Sequence, residues 1–147
     1  VVNEERNMAI PTYEQIMLPL LKIAGDKQEH SKRQATEKLA NEFRLTDKER
    51  RVMLPSGKEE LFDNRVGWAG TYLKKANFME QTRWGFFKIT DRGMGLLKQN
   101  PAKIDAKLLY AYKEFKDFIT PNQKIIEEEY TPGSPEEMLG TASLHDH

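Results

Sequence analysis

Between positions 64 and 83 stand the side chains best suited to chemistry: Asn64, Arg65, Trp68, Thr71, Lys74, Lys75 and Arg83. At about 100° per residue, a helix that turns Phe62, Val66 and Leu73 inward sends Asn64, Trp68, Thr71 and Lys75 outward in one stripe, with Arg65 and Lys74 beside it. Those types suit a DNA groove. An Asn amide can bridge an adenine edge, Thr and Trp can meet a thymine or modified-base methyl, and Lys neutralises phosphate. Arg83 follows in a basic, aromatic segment and has the chemistry of a phosphate or minor-groove contact. The competing reading is packing. Gly67 and Gly70 each cost a helix about 1 kcal/mol relative to Ala, which points to close approach by a duplex or equally by a neighbouring backbone. Trp68 could rest on a neighbouring element, and Trp84 and Phe86 are expected to close against the domain rather than stack on bases.

Catalytic constellations are poor. Glu114-Phe115-Lys116 has the carboxylate-x-lysine form used by metal-dependent nucleases, but it falls in a helical pattern with no partner aspartate on a hairpin. His30 stands alone beside Glu29, and His145 and His147 have nothing to organise them. Asp91-Arg92-Gly93-Met94-Gly95 lacks the spacing of a phosphate-binding loop. With no Cys in the chain, thiolate nucleophiles and Cys-based metal sites are excluded. No catalytic residue, metal or cofactor is expected.

The elements that must hold this surface are legible from local signals. Thr12 with Gln15, Ser31 with Gln34 and Thr46 with Glu49 have capping-box spacing, and they open three helices. The first runs from about Tyr13 to Ala24 around Pro19, expected to kink it. The second carries Ala35, Leu39, Ala40 and Phe43 on one face, and the third is stopped by Pro55-Ser56-Gly57. A long helix from about Phe62 to Ala76 buries Phe62, Val66, Ala69, Leu73 and Ala76 at alternating spacings of four and three. Asn77 ends it. Phe78-Met79-Glu80 and Phe86-Phe87-Lys88-Ile89 then read as two strands around a basic, aromatic tip. Thr90 caps a further helix through Leu96-Leu97, ended by Asn100-Pro101. Short helices, a long one and then a two-stranded wing make a mainly α, α+β chain of winged helix-turn-helix organisation.

The boundaries follow composition. Residues 1–7 read as an extension before Met8, residues 8–100 as the winged-helix domain, and residues 101–119 as a linker helix with the stripe Ile104, Leu108, Ala111, Phe115 and Phe118. That stripe is too short to stand alone, so it must dock on the domain or on a second copy, and a homodimer is one outcome. Residues 120–147, with Glu127-Glu128-Glu129 and Thr131-Pro132-Gly133-Ser134-Pro135, have the composition of a flexible acidic tail. Charge divides the same way. Residues 1–100 hold 18 Lys+Arg and 14 Asp+Glu, net +4, while residues 101–147 hold 5 and 9, net −4. The excess narrows to Asn64–Arg92, where Arg65, Lys74, Lys75, Arg83, Lys88 and Arg92 face only Glu80 and Asp91, as polyanion binding requires. The longest apolar run, Ile16 to Leu21, contains Pro19 and cannot span a membrane.

Met8-Ala9-Ile10-Pro11-Thr12-Tyr13, Leu54-Pro55-Ser56-Gly57, Asp63-Asn64-Arg65-Val66-Gly67-Trp68-Ala69, Tyr72-Leu73-Lys74-Lys75-Ala76 and Phe87-Lys88-Ile89-Thr90-Asp91-Arg92-Gly93 together resemble the amino-terminal domain of Mrr-type restriction endonucleases. The resemblance covers about residues 8–105. It implies a winged-helix domain that reads double-stranded DNA, methylated in the family's substrates, in a cytoplasmic bacterial defence system. The family's catalytic Asp…Gln/Glu-x-Lys motif belongs to a second, nuclease domain and is absent here, so no catalysis is expected of this chain. A stand-alone winged-helix transcription regulator and a protein-interaction winged helix are the alternatives.

Overall fold

In a computed structural model, residues 10–119 are described. The extension at 1–7, the tail at 120–147 and the terminal histidines lie outside them. Helix α1 (Tyr13–Ala24) begins on the full Thr12/Gln15 capping box and carries Pro19 inside it. Strand β1 (His30–Ser31) leads directly into α2 (Lys32–Glu42), whose first turn is capped by the Ser31 hydroxyl accepting from the Gln34 amide. The short α3 (Asp47–Arg50) has the Thr46/Glu49 box. The long α4 (Leu61–Lys75) ends in a Schellman turn: Asn77 takes φ 64°, the Phe78 amide donates to the Leu73 carbonyl, and the Asn77 amide donates to that of Lys74. Strands β2 (Met79–Arg83) and β3 (Phe86–Ile89) form the wing, and Thr90 caps α5 (Asp91–Lys98).

The sheet is antiparallel in the order β1-β3-β2. Sequence reading expected only the two wing strands. The third is a two-residue strand pairing His30 with Phe87 and Ser31 with Phe86, too short to leave a periodic signal. The chain is thus helical with a small antiparallel sheet, the winged-helix arrangement expected. Helix α1 packs along α4 over the core, and all five expected core positions of α4 are buried. No helix among the described residues is long and apolar enough to cross a membrane.

Gly93 explains why α5 lies so close to the chain before it. A Cβ there would stand 2.2 Å from the Phe78 carbonyl oxygen, so this glycine serves contact between backbones and not a phosphate loop.

The expectation of one helix over Ile104–Ile119 is corrected. The segment forms two short helices, α6 (Ala106–Leu109) and α7 (Lys113–Ile119), broken at Tyr110–Tyr112. Tyr110 packs edge-on to Phe115 and Tyr112 to Phe78. Residues two apart do not share a helix face, so one continuous helix could not turn both rings inward. Leu109 is consequently buried where Ala111 was expected, and Ala111 is exposed. Both pieces dock on the domain. Glu14 accepts from the Ala106 amide at 2.8 Å, and Arg92 holds Glu114 through two bonds of 3.1 and 3.3 Å.

Candidate nucleic-acid interface

Helix α4 does not present the stripe read from its sequence. Asn64 and Thr71 are 0% and 2% exposed, Trp68 7% and Arg65 9%. Both sides of the helix are covered, one by α1 and the other by α7 and the segment ahead of α1. Tyr72 is where the two covers meet, edge-on to Tyr13 of α1, to Trp68 of its own helix and to Phe115 of α7 at ring separations of 5.2, 5.8 and 5.1 Å. Arg65 donates to the Ile10 and Pro11 carbonyls at 2.9 and 3.3 Å, and the Asn64 amide donates to Glu59 at 3.2 Å. These polar groups tie loops to the core. The outward reading failed because helical periodicity locates one buried face and is silent about a second cover from distant sequence.

The cations fare differently. Lys75 is exposed with its ammonium over the Phe118 ring, and Lys74 is half-buried. Thr71, Lys74 and Lys75 are brought together with Gln81 in a shallow depression beside β2. Arg83 lies at the wing tip with its guanidinium 3.7 Å from the Phe86 ring centre and 3.3 Å from Glu29. Glu29 also accepts from the Thr82 hydroxyl, which, with Arg83, holds its carboxyl below the ordinary range. The two tryptophans exchange their expected roles. Trp68 is inside, while Trp84 is 65% exposed on the tip.

The surface with the composition sought on α4 is on α2. Its apolar side, Ala35, Leu39 and Ala40, faces the core with Thr36, and Lys32, Arg33, Gln34, Glu37, Lys38 and Asn41 point to solvent. Between this helix and the wing runs an open groove of about 1420 Å³, lined by Lys32, Arg33, Gln34 and Lys38 on one side and Trp84, Gly85 and Phe86 on the other. The groove's carboxylates are already engaged. Arg50 binds Glu37 through two 3.1 Å bonds and Asp63 at 3.3 Å, while Glu59 accepts from Asn64. The Arg50 bond keeps the Glu37 carboxyl below its usual range. Lys32, Arg33 and Lys38 make no ion pair with the described residues. With Arg50 counted, four cations stand against the three carboxylates Glu37, Glu59 and Asp63 around the groove, and the start of α2 adds the positive end of its dipole.

Sequence reading passed over α2 because its cations are interleaved with acids. The signal lay in Arg50, whose fork engages Glu37 of α2 and Asp63 of α4 from a distance. Glu114, the carboxylate of the nuclease-like tripeptide, is taken by Arg92, which lowers its pKa. His30 is also structural, bonded to Asp26 at 2.8 Å and stacked on Phe87. Among the described residues no group of His, Asp and Glu could hold a metal ion.

The Mrr N-terminal domain family matches residues 13–99. The type IV methyl-directed restriction enzyme EcoKMrr of Escherichia coli (strain K12) is 30% identical over 95 residues, which is 64% of this chain and 31% of that enzyme. The chain therefore spans about a third of the relative's length in the match. No solved structure matches.

Proposed function

Because the chain belongs to the Mrr N-terminal domain family, we propose that it reads double-stranded DNA, as the targeting part of a modification-dependent endonuclease of the cytoplasm. The observation that carries this reading is the α2–wing groove, where Lys32, Arg33 and Lys38 make no ion pair among the described residues while neighbouring acids are internally engaged. An unneutralised cationic surface of this kind gains counterion-release free energy on a phosphate backbone. In this reading α2 enters the groove of the duplex, and Lys74, Lys75 and Arg83 add phosphate contacts. Asn64, Arg65, Trp68 and Thr71 hold the frame that orients them. The relative's methyl-directed activity extends the reading to modified duplexes.

The test is binding of the 147-residue chain to a duplex across a salt series. With about four to six phosphate contacts, the log–log slope is expected at roughly −3 to −5. Binding without salt dependence, or no binding at low salt, would refute DNA reading and favour a protein-binding surface. With magnesium or manganese present, plasmid DNA is expected to stay intact, because Glu114 is committed to Arg92. Cleavage lost on Glu114→Ala would overturn that assignment.

A further inference from the structure

Next to the α2–wing groove lies a second, more enclosed space. Between α4 and the hairpin is a cleft of about 40 Å³ that shares Lys32, Gly85 and Phe86 with the groove. Leu20, Met79 and Phe86 supply apolar walls, and α4 turns Gly70 toward them. The missing side chain at Gly70 helps keep the space open, since a Cβ there would meet only Leu20 Cδ2, at 3.7 Å. Lys32 and Lys74 flank the cleft without an ion pair among the described residues. Burial, with the charges of Lys32 and Lys75 nearby, pushes the Lys74 ammonium below the ordinary lysine range.

The size and lining of this space restrict what could enter it. It has room for about two or three non-hydrogen atoms, far less than an extruded base requires. Its walls favour an apolar group, and the two lysines favour an adjacent anion. A base edge bearing a small apolar substituent, with its phosphate close by, combines both. We propose that this cleft receives a substituent of methyl size carried by a base of duplex DNA, while Lys32 and Lys74 bind the neighbouring phosphate. The proposal rests on the DNA-reading function above and adds the place where modified and unmodified duplexes are told apart.

The experiment compares the 147-residue chain on duplexes of one sequence: unmodified, carrying 5-methylcytosine, or carrying N6-methyladenine. Burying one methyl group should favour one modified duplex about three- to fivefold. Gly70→Ala puts a methyl of the protein in that space at ordinary contact distance, and Ala suits a helix better than Gly. This variant should lose the preference while its affinity for the unmodified duplex stays within about twofold. As a readout on the unaltered protein, the Met79 methyl NMR signal, assigned with Met79→Leu, should move with the preferred duplex and not with the unmodified one. Salt-dependent binding without preference, a preference that survives Gly70→Ala, or an unresponsive Met79 signal would each overturn the cleft and leave DNA reading intact. Absence of any salt-dependent binding would overturn both. If Gly70→Ala lowers the melting temperature, the Met79 signal decides.

Discussion

Helices α2 and α4 both carry polar side chains beside apolar ones and use them in opposite ways. Helix α2 buries one side and leaves Lys32, Arg33, Gln34, Glu37 and Lys38 in solvent, whereas α4 encloses Asn64, Arg65 and Thr71 along with its apolar residues. On α4 the polar groups satisfy backbone carbonyls and a loop carboxylate; on α2 only Glu37, held by Arg50, is in an ion pair among the described residues. A polar helix stripe therefore indicates a binding face only when no other segment needs its hydrogen bonds. The difference also divides stability from recognition, because replacing the enclosed polar side chains of α4 should destabilise the protein and replacing the exposed cations of α2 should not.

The strongest attempt to break this division is Phe115→Asp. Phe115 is fully buried on Tyr72, and a carboxylate there is unpaired among aromatics, so a loss of about 4 kcal/mol or more is expected in denaturant titration. An unchanged melting temperature would show that α7 does not cover α4 in solution. Arg65→Met keeps most of the side-chain volume but strips the Ile10 and Pro11 carbonyls of their donor. Stability should fall by about 2 to 3 kcal/mol, while affinity for DNA, measured where the variant is still folded, stays within about twofold. A selective loss of affinity would return Arg65 to the reading surface.

The opposite result is expected on α2. Replacing Lys32, Arg33 and Lys38 together by Gln should change stability by no more than about 1 kcal/mol yet reduce the magnitude of the salt slope by about 2.7. A slope that stays put would move the interface elsewhere. The smallest effect is acid sensitivity. Asp26, Glu29, Glu37 and Glu114 all titrate below their ordinary values, chiefly through hydrogen bonds to His30, Thr82, Arg50 and Arg92 respectively. A carboxyl depressed in the folded state contributes stability above its unfolded pKa and loses it as pH falls through the folded one. The thermal midpoint should therefore be nearly flat from pH 7 to about pH 5 and decline below about pH 4, and Asp26→Asn should lessen that decline slightly.

What the sequence disclosed and what it withheld follow from distance along the chain. Thr12/Gln15 and Thr46/Glu49 could be read at once because each box is completed within four residues, and Asn77 stops α4 by a conformation of its own backbone. The enclosure of Trp68 could not be read, because it requires Tyr72 to gather rings from Tyr13 to Phe115. The groove was hidden for the same reason. Its positive character depends on Arg50 engaging Glu37 and Asp63, each 13 residues away. The exposed Trp84 was obscured by Gly85 at φ 79°, which turns the chain so tightly that the indole has no wall to lean on.

The two-residue strand β1 has a mechanical consequence. His30 and Ser31 pair with the wing, the Lys32 amide donates to the Gly85 carbonyl at 2.8 Å, and the Ser31 hydroxyl caps the helix that follows. Helix and hairpin are thereby clamped into a rigid fork whose prongs have their spacing fixed during folding. A partner lodged between them would meet a gauge that does not adjust, and little ordering entropy would remain to be lost on contact. If that partner is duplex DNA, the strain of fitting falls on the duplex, so pliable base steps would be accepted and stiff tracts refused by shape alone.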